Sequence, residues 1–202
     1  MSETSQYLHH KFSRLHRFRR EGDLDDGVPD HGVYVVFERG EHAHGVERIV
    51  RVGTNAGKAI LASRIREHYR ANKDRSIFRK HVGRALLKDD PFLDEWDIDL
   101  TTREAGENYA GKMVMVKLAK VESEVTYHMK ENISFAFLRH DANPLSCERL
   151  LLSTIHSYKE CGPSAGWLGK DHPNFVIKVS GLWNIQGLKG PVLSPPEAGK
   201  LI

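Results

Sequence analysis

Apolar residues recur along this chain in two rhythms, and the changes between them mark its elements. "GVYVVF" at 32–37 and "RIVRVGTN" at 48–55 are short runs of β-branched and aromatic residues, each with a glycine at one end. They read as strands over 32–38 and 46–52, and the polar "RGEHAHG" between them makes an antiparallel hairpin. "ISFAFLR" at 133–139 reads as a third strand.

Elsewhere apolar positions return every three or four residues, the helical period. This holds in 1–20 through Leu8, Phe12, Leu15 and Phe18, over about 57–70, and in "SIFRKHVGRALL" at 76–87. Val114, Val116, Leu118, Val121, Val125 and Met129 predict one long amphipathic helix from about 105 to 130. In "NPLSCERLLLSTIHSYKE", Asn143 is placed as an N-cap and Pro144 at the first helical position, so Glu148 falls in the opening turns of that helix. "DEWDIDL" reads as a short strand, "FVIKVSGLWN" as one more extended segment, and the Pro/Gly-rich "GPVLSPPEAGK" as an irregular end.

The 202 residues suit one domain of ordinary size, and an apolar fraction of 40% with 28% charged residues is that of a folded chain. No stretch approaches the roughly 18 apolar residues of a membrane span, and the N-terminus lacks the apolar core of a secretory signal, so a cytoplasmic protein is expected. Cys147 and Cys161 are too few for a disulfide framework or a four-cysteine zinc site, which agrees with a reducing compartment. A net charge of +3 says little by itself. Its distribution says more: nine Lys or Arg lie between Arg64 and Lys88 against two acids, Glu67 and Asp74. Such a run is either a solvated helix face or a phosphate-binding patch, and the neighbouring chemistry decides.

Some motifs fail on inspection. "GTNAGKA" at 53–59 has three residues between its glycines instead of four, and Ala59 stands where a phosphate-binding loop needs a hydroxyl to hold magnesium. "HAH" at 42–44 has no third ligand at metal spacing and reads as an exposed polar loop, and "LHH" at 8–10 fails as a metal site on the same ground. A different set holds together by its order. Gly32-Val33-Tyr34 opens one strand, Arg51-Val52-Gly53 closes the next, Arg64 and His68 stand at i and i+4 on a helix, and Glu148 follows on a later one.

With these residues the sequence resembles the GIY-YIG nuclease superfamily over roughly 31–72 and 133–160. The resemblance implies an α+β fold with a small antiparallel β-sheet flanked by helices, in a single domain over 1–202. Around the core it leaves a basic N-terminal helical segment at 1–22, a mainly helical insertion at 73–132 and an irregular tail at 186–202. It implies a metal-dependent endonuclease that cleaves DNA, and by analogy the insertion suits the DNA-reading part of a restriction enzyme.

Each implied role has a physical reason, since hydrolysing a phosphodiester needs an activated water, positive charge around phosphorus and help for the departing oxygen. Glu148 would hold Mg²⁺ or Mn²⁺, hard cations that favour carboxylate and water oxygens. Tyr34 would orient or deprotonate the attacking water. Arg64 would grip the scissile phosphate with its planar fork, and His68 would orient the nucleophile or donate to a phosphate oxygen. Lys58, Arg66, Arg70, Arg79, Lys80 and Arg84 are the expected contacts to the nucleic acid backbone.

The sequence departs from the family pattern at Arg51, which replaces the first tyrosine of YIG and either adds a phosphate-binding cation or marks a decayed site. The family's late asparagine has two candidates, Asn174 and Asn184. The competing reading is a nucleic-acid-binding protein that keeps the fold without cleavage; a scaffold role would leave Arg64, His68 and Glu148 unexplained. Oligomeric state is not encoded in any recognisable pattern, and a dimer is compatible.

Overall fold

The computed structural model describes residues 3–25, 27–55, 60–108 and 112–201. At its centre, β1 (Gly32–Ala43), β2 (Val46–Thr54) and β3 (Ile133–Arg139) form an antiparallel sheet in the order β2-β1-β3. The hairpin strands run further than their apolar cores, with pairing continuing through His42 and Ala43 to a two-residue turn at His44-Gly45. Both turn residues have positive φ, 54° and 78°, which matches the twist of the strands they join.

The ladder register decides what each sheet face carries. Tyr34 lies opposite Gly53 on β2 and Phe137 on β3; Val36 lies opposite Arg51 and Phe135. Paired residues share a face, so these six line one side, while Val33, Val35, Val52 and Ala136 line the other. The first face is covered by α2 (Leu61–Tyr69), α3 (Ile77–Leu87) and α6 (Lys112–Asn132), with Ile65, Phe78, Val82, Val125 and Met129 buried against it. The second is covered by α1 (Glu3–Ser13), α7 (Pro144–His156) and α9 (Pro195–Leu201), through Leu8, Phe12, Leu151, Ile155 and Ala198. Each large apolar side chain so buried contributes about 1.5–3 kcal/mol, enough to fix the helices on both faces.

Both sheet edges are occupied, which removes free strand templates. Phe18, expected to continue the first helix, instead exchanges two backbone hydrogen bonds of 2.9 Å with Phe135 of β3. On the β2 side, Trp183 N–H donates to Val50 O at 2.7 Å, and the Asn184 side chain accepts from Val52 N–H and donates to Val52 O. A buried carboxylate secures this segment: Glu38 accepts from the indole N–H groups of Trp167 and Trp183 and bonds His128 Nε2.

The remaining elements differ from expectation where local signals outweigh residue preference. "DEWDIDL" contains a helix, α4 (Leu93–Asp97), whose buried Trp96 lies against Gly83 of α3 and donates its indole N–H to Lys80 O. The predicted helix over 105–130 is divided into α5 (Arg103–Asn108) and α6, with 109–111 outside the described residues. "FVIKVS" forms α8 (Phe175–Ser180) despite its β-branched residues, because Asn174 caps it and Gly181, at φ 69°, ends it. The tail is not irregular throughout: Ser194 and Glu197 bond each other across the start of α9 as a capping pair, with Pro195 in the first turn. Among the described residues, no helix is long and apolar enough to cross a membrane.

Candidate active site

Both motif glycines are required by close packing. A Cβ at Gly32, which has φ 148°, would strike the Leu138 carbonyl oxygen, and a Cβ at Gly53 would overlap the Tyr34 ring. The tyrosine therefore lies across Gly53 toward the β2 edge. Its hydroxyl bonds His68 Nε2 at 3.0 Å, and His68 Nδ1 bonds Ser76 Oγ at 2.7 Å. Ser76 also accepts from Arg79 N–H as the N-cap of α3, so the phenol, the imidazole and a helix start form one connected unit. Burial, with help from the Arg64, Arg51 and Arg79 cations, holds His68 well below its ordinary pKa and keeps it neutral at pH 7.

This corrects the expectation that His68 meets the substrate directly. The ring is fully buried and both nitrogens are engaged, so it acts on Tyr34. Tyr34, at 1% exposure, also has its hydroxyl enclosed. Gly53→Ala is expected to destabilise the fold by about 1–3 kcal/mol, the cost of overpacking, because the ring has to leave its place. Denaturant unfolding beside the wild type measures it, and an unchanged midpoint would show that the packing of Tyr34 over Gly53 is dispensable.

At the β2 edge the two helical layers leave a cavity of about 450 Å³, lined among others by Arg51, His81, Arg84, Glu148, Arg149 and Asn184. Glu148 comes from α7 on one layer and His81 from α3 on the other, with Arg51 between them on β2. Burial pushes the Glu148 carboxyl above its usual range, while Arg51, Arg149 and Arg64 pull it the other way. Among the described residues this half-buried carboxylate has no hydrogen bond or ion pair. A cation held there would relieve its desolvation, and a single carboxylate with room for water and phosphate oxygens fits the sparse protein coordination of magnesium.

Arg51 is 6% exposed, stacks over Phe78 at 5.1 Å and donates from Nη1 to Trp183 O at 2.8 Å. Its Nε has no partner, so the guanidinium fork is only partly committed. Arg51 and Gly53 share a face two positions apart, about 7 Å along the strand, which brings the Tyr34 hydroxyl near the arginine. Of the two asparagines, Asn184 lines the cavity while clasping Val52, and Asn174 is the cap of α8.

The basic run is largely neutralised, by its own Glu67 and Asp74 and by acids drawn from elsewhere in the chain. Arg79 is corrected outright as a nucleic acid contact: it is fully buried, paired with Glu122, and also donates to His68 O and Thr126 Oγ1. Arg66 pairs with Asp25, Arg70 with Glu67 and Arg84 with Asp97, while Lys80 donates to Asp97 O and lies 3.5 Å from Asp74. Lys58 lies outside the described residues. Arg64, half-buried, donates to Arg75 O; among the described residues Arg51, Arg64 and Arg149 have no acidic partner and all three act on Glu148. A larger cavity of about 730 Å³, beside Lys73 and Glu122, offers less, because those two side chains are taken up by Asp74 and Arg79.

Two residues escaped the sequence reading. Arg149 adjoins Glu148 and is exposed at the cavity. His81 is held by a relay: Asn174 N–H donates to His172 Nδ1, so His172 carries its proton on Nε2 and donates to His81 Nδ1, which also accepts from Arg84. His81 then carries its proton on Nε2. Burial, next His172 and then Arg51, pushes its pKa down to about 2, so it is a fixed neutral donor and not a proton carrier. The "RKHVGR" spacing of His81 and Arg84 was the available signal; His172 lies 91 residues away and had none.

A family model described as a GIY-YIG domain matches residues 5–192. No curated protein and no solved structure matches the chain.

Proposed function

The chain belongs to the GIY-YIG family, a nuclease-type domain family, and on that premise we propose that it is a metal-dependent endonuclease hydrolysing phosphodiester bonds of DNA. The observation that carries this reading is the unpaired, half-buried Glu148 carboxylate in a cavity shared with Arg51 and within the field of Arg64 and Arg149. Cations alone would suffice to bind a phosphate backbone; an ionisable carboxylate placed among them opposes phosphate unless a divalent ion sits between.

In this reading Glu148 holds Mg²⁺ or Mn²⁺, which supplies charge at the departing oxygen when bound. Arg51 and Arg64 bind the scissile phosphate, Arg149 the neighbouring backbone, and His81 donates its N–H to a phosphate oxygen. Tyr34 would orient the attacking water beside Arg51 once its enclosed hydroxyl opens to the cavity, and His68 is a positioning residue that holds the phenol over Gly53. Asn184 keeps the cavity wall against β2. The cytoplasm as compartment and a restriction-type role belong to the same proposal, the latter by analogy alone.

Supercoiled plasmid incubated with the protein and Mg²⁺ or Mn²⁺, followed by gel analysis, tests it: nicked or linear product is expected and should vanish with chelator. A protein that binds DNA yet leaves it intact under every divalent metal would favour the second reading, binding without cleavage. Two observations favour that alternative, the arginine in place of a tyrosine hydroxyl at 51 and the enclosure of the Tyr34 hydroxyl.

Binding itself should depend steeply on salt. With Arg51, Arg64 and Arg149 neutralising about three phosphates, log K should fall against log salt with a slope of roughly −3. Fluorescence anisotropy over a salt series reads it, and affinity indifferent to salt would dismiss these arginines as a phosphate surface.

A further inference from the structure

We propose that His9 Nε2, His44 Nε2 and Cys161 Sγ form a second metal site, for a borderline or soft divalent ion such as Zn²⁺, which ties α1 to the hairpin turn and to the short turn at Lys159–Cys161. The three ligand atoms lie within 4.8 Å of one another, and His44 Nε2 is 3.0 Å from Cys161 Sγ. Tetrahedral zinc holds nitrogen and sulfur ligands about 3.5 Å apart, as follows from bonds of about 2.0 and 2.3 Å, so only small side-chain adjustments are needed. His44 follows the last residue of β1, eight positions from Val36, the partner of Arg51. At about 3.4 Å per residue that is roughly 27 Å away, so the site is separate from the cavity at Glu148.

His9 carries the argument furthest. It is fully buried, and its Nε2 has no hydrogen-bond partner, an arrangement that is costly for a polar atom without a purpose. Its Nδ1 bonds Ser5 O at 2.9 Å; a carbonyl only accepts, so the proton sits on Nδ1 and the lone pair on Nε2. This carbonyl-oriented imidazole is the usual support of a metal-bound histidine.

The other two ligands are supported in the same way. Ser5 Oγ lies 3.1 Å from Cys161 Sγ, and His10 Nε2 donates to the carbonyl of His44 at 3.1 Å. The exposed His42 takes no part, its Nδ1 being turned to Gly40 O. On binding, Cys161 Sγ releases its proton to solvent as the thiolate coordinates, and a water completes the fourth position. The donor set of two imidazoles and a thiolate selects zinc over magnesium, the reverse of Glu148.

The test uses the full chain stripped with a strong chelator and dialysed, with Co²⁺ as a spectroscopic probe and Zn²⁺ as competitor. Expected are a sulfur-to-cobalt charge-transfer band at stoichiometric metal, its loss on adding one equivalent of zinc, and a higher melting temperature with zinc. Cys161→Ser should abolish the band, His44→Ala should weaken it at least several-fold, and His42→Ala should leave it unchanged. Absence of the band in the folded wild type, or its survival in Cys161→Ser, would overturn the site. Where Cys161→Ser does not fold, the wild-type band and the half-buried His44→Ala decide the matter, an undiminished band in the latter counting against the proposal.

Discussion

Glu148→Gln should abolish cleavage in Mg²⁺ or Mn²⁺ while leaving the fold at least as stable as the wild type. The carboxylate is half-buried, unpaired among the described residues, and pushed by burial above its usual pKa, so its ionised form costs stability. With the folded-state pKa raised, that penalty is absent below the unfolded pKa and complete above the folded one; at neutral pH glutamine removes it. The same substitution removes the anion that would hold the metal and with it most of the charge stabilisation at the departing oxygen, so the rate should fall by three powers of ten or more. Plasmid cleavage gives the rate, and melting with and without Mg²⁺ gives an activity-independent readout: the metal-induced shift should vanish in the variant. Undiminished cutting by a pure preparation would remove Glu148 from the site, and a large drop in melting temperature would recast it as structural.

The sheet was legible because its signal is local. "GVYVVF", "RIVRVG" and "ISFAFLR" are alternately or continuously apolar, the pattern of strands buried on one or both faces. Short helices were less legible. In "FVIKVS" the β-branched side chains argue for a strand, and Phe175 and Val179 stay exposed, so burial gave no periodic cue; the caps Asn174 and Gly181 decide it. For α9 the cue was present in "SPPE", a serine with a glutamate three residues on, but the prolines read more strongly as a break.

The site divides in the same way. Tyr34, Gly53 and Glu148 stand in short motifs whose order is readable, and the structure brings Arg51 and Glu148 to one cavity. Charge was misread because a run such as 64–88 shows its cations and conceals their partners: Glu122, 43 residues from Arg79, neutralises it in the core, and Asp25 reaches Arg66 from before the sheet. The ligands of the proposed zinc site leave no local signal for the same reason. "LHH" and "HAH" lack a third ligand at any local spacing, and Cys161 is 117 residues from His44. Ligand sets assembled by tertiary packing carry no local spacing to read.

Arg51→Ala should lower cleavage by about two to three powers of ten, the effect of removing one transition-state donor, and should weaken DNA binding. The structural alternative is that Arg51 only fastens residues 183–184 to the sheet edge, since Nη1 donates to Trp183 O. That segment has independent ties, from Trp183 N–H to Val50 O, from the Trp183 indole to Glu38 and from Asn184 to both polar atoms of Val52, so it should survive the loss of one bond. Arg51→Met separates the two roles, because it keeps apolar contact with Phe78 and removes the fork. If Arg51 binds phosphate, Met should be as inactive as Ala with a melting temperature near the wild type, and Arg51→Tyr should not restore full activity. If Arg51 marks a decayed site, the wild type is inactive with every divalent metal and Arg51→Tyr recovers cutting. Rates for wild type, Ala, Met and Tyr under one metal condition decide between these, and four equal rates would end any catalytic role for the arginine.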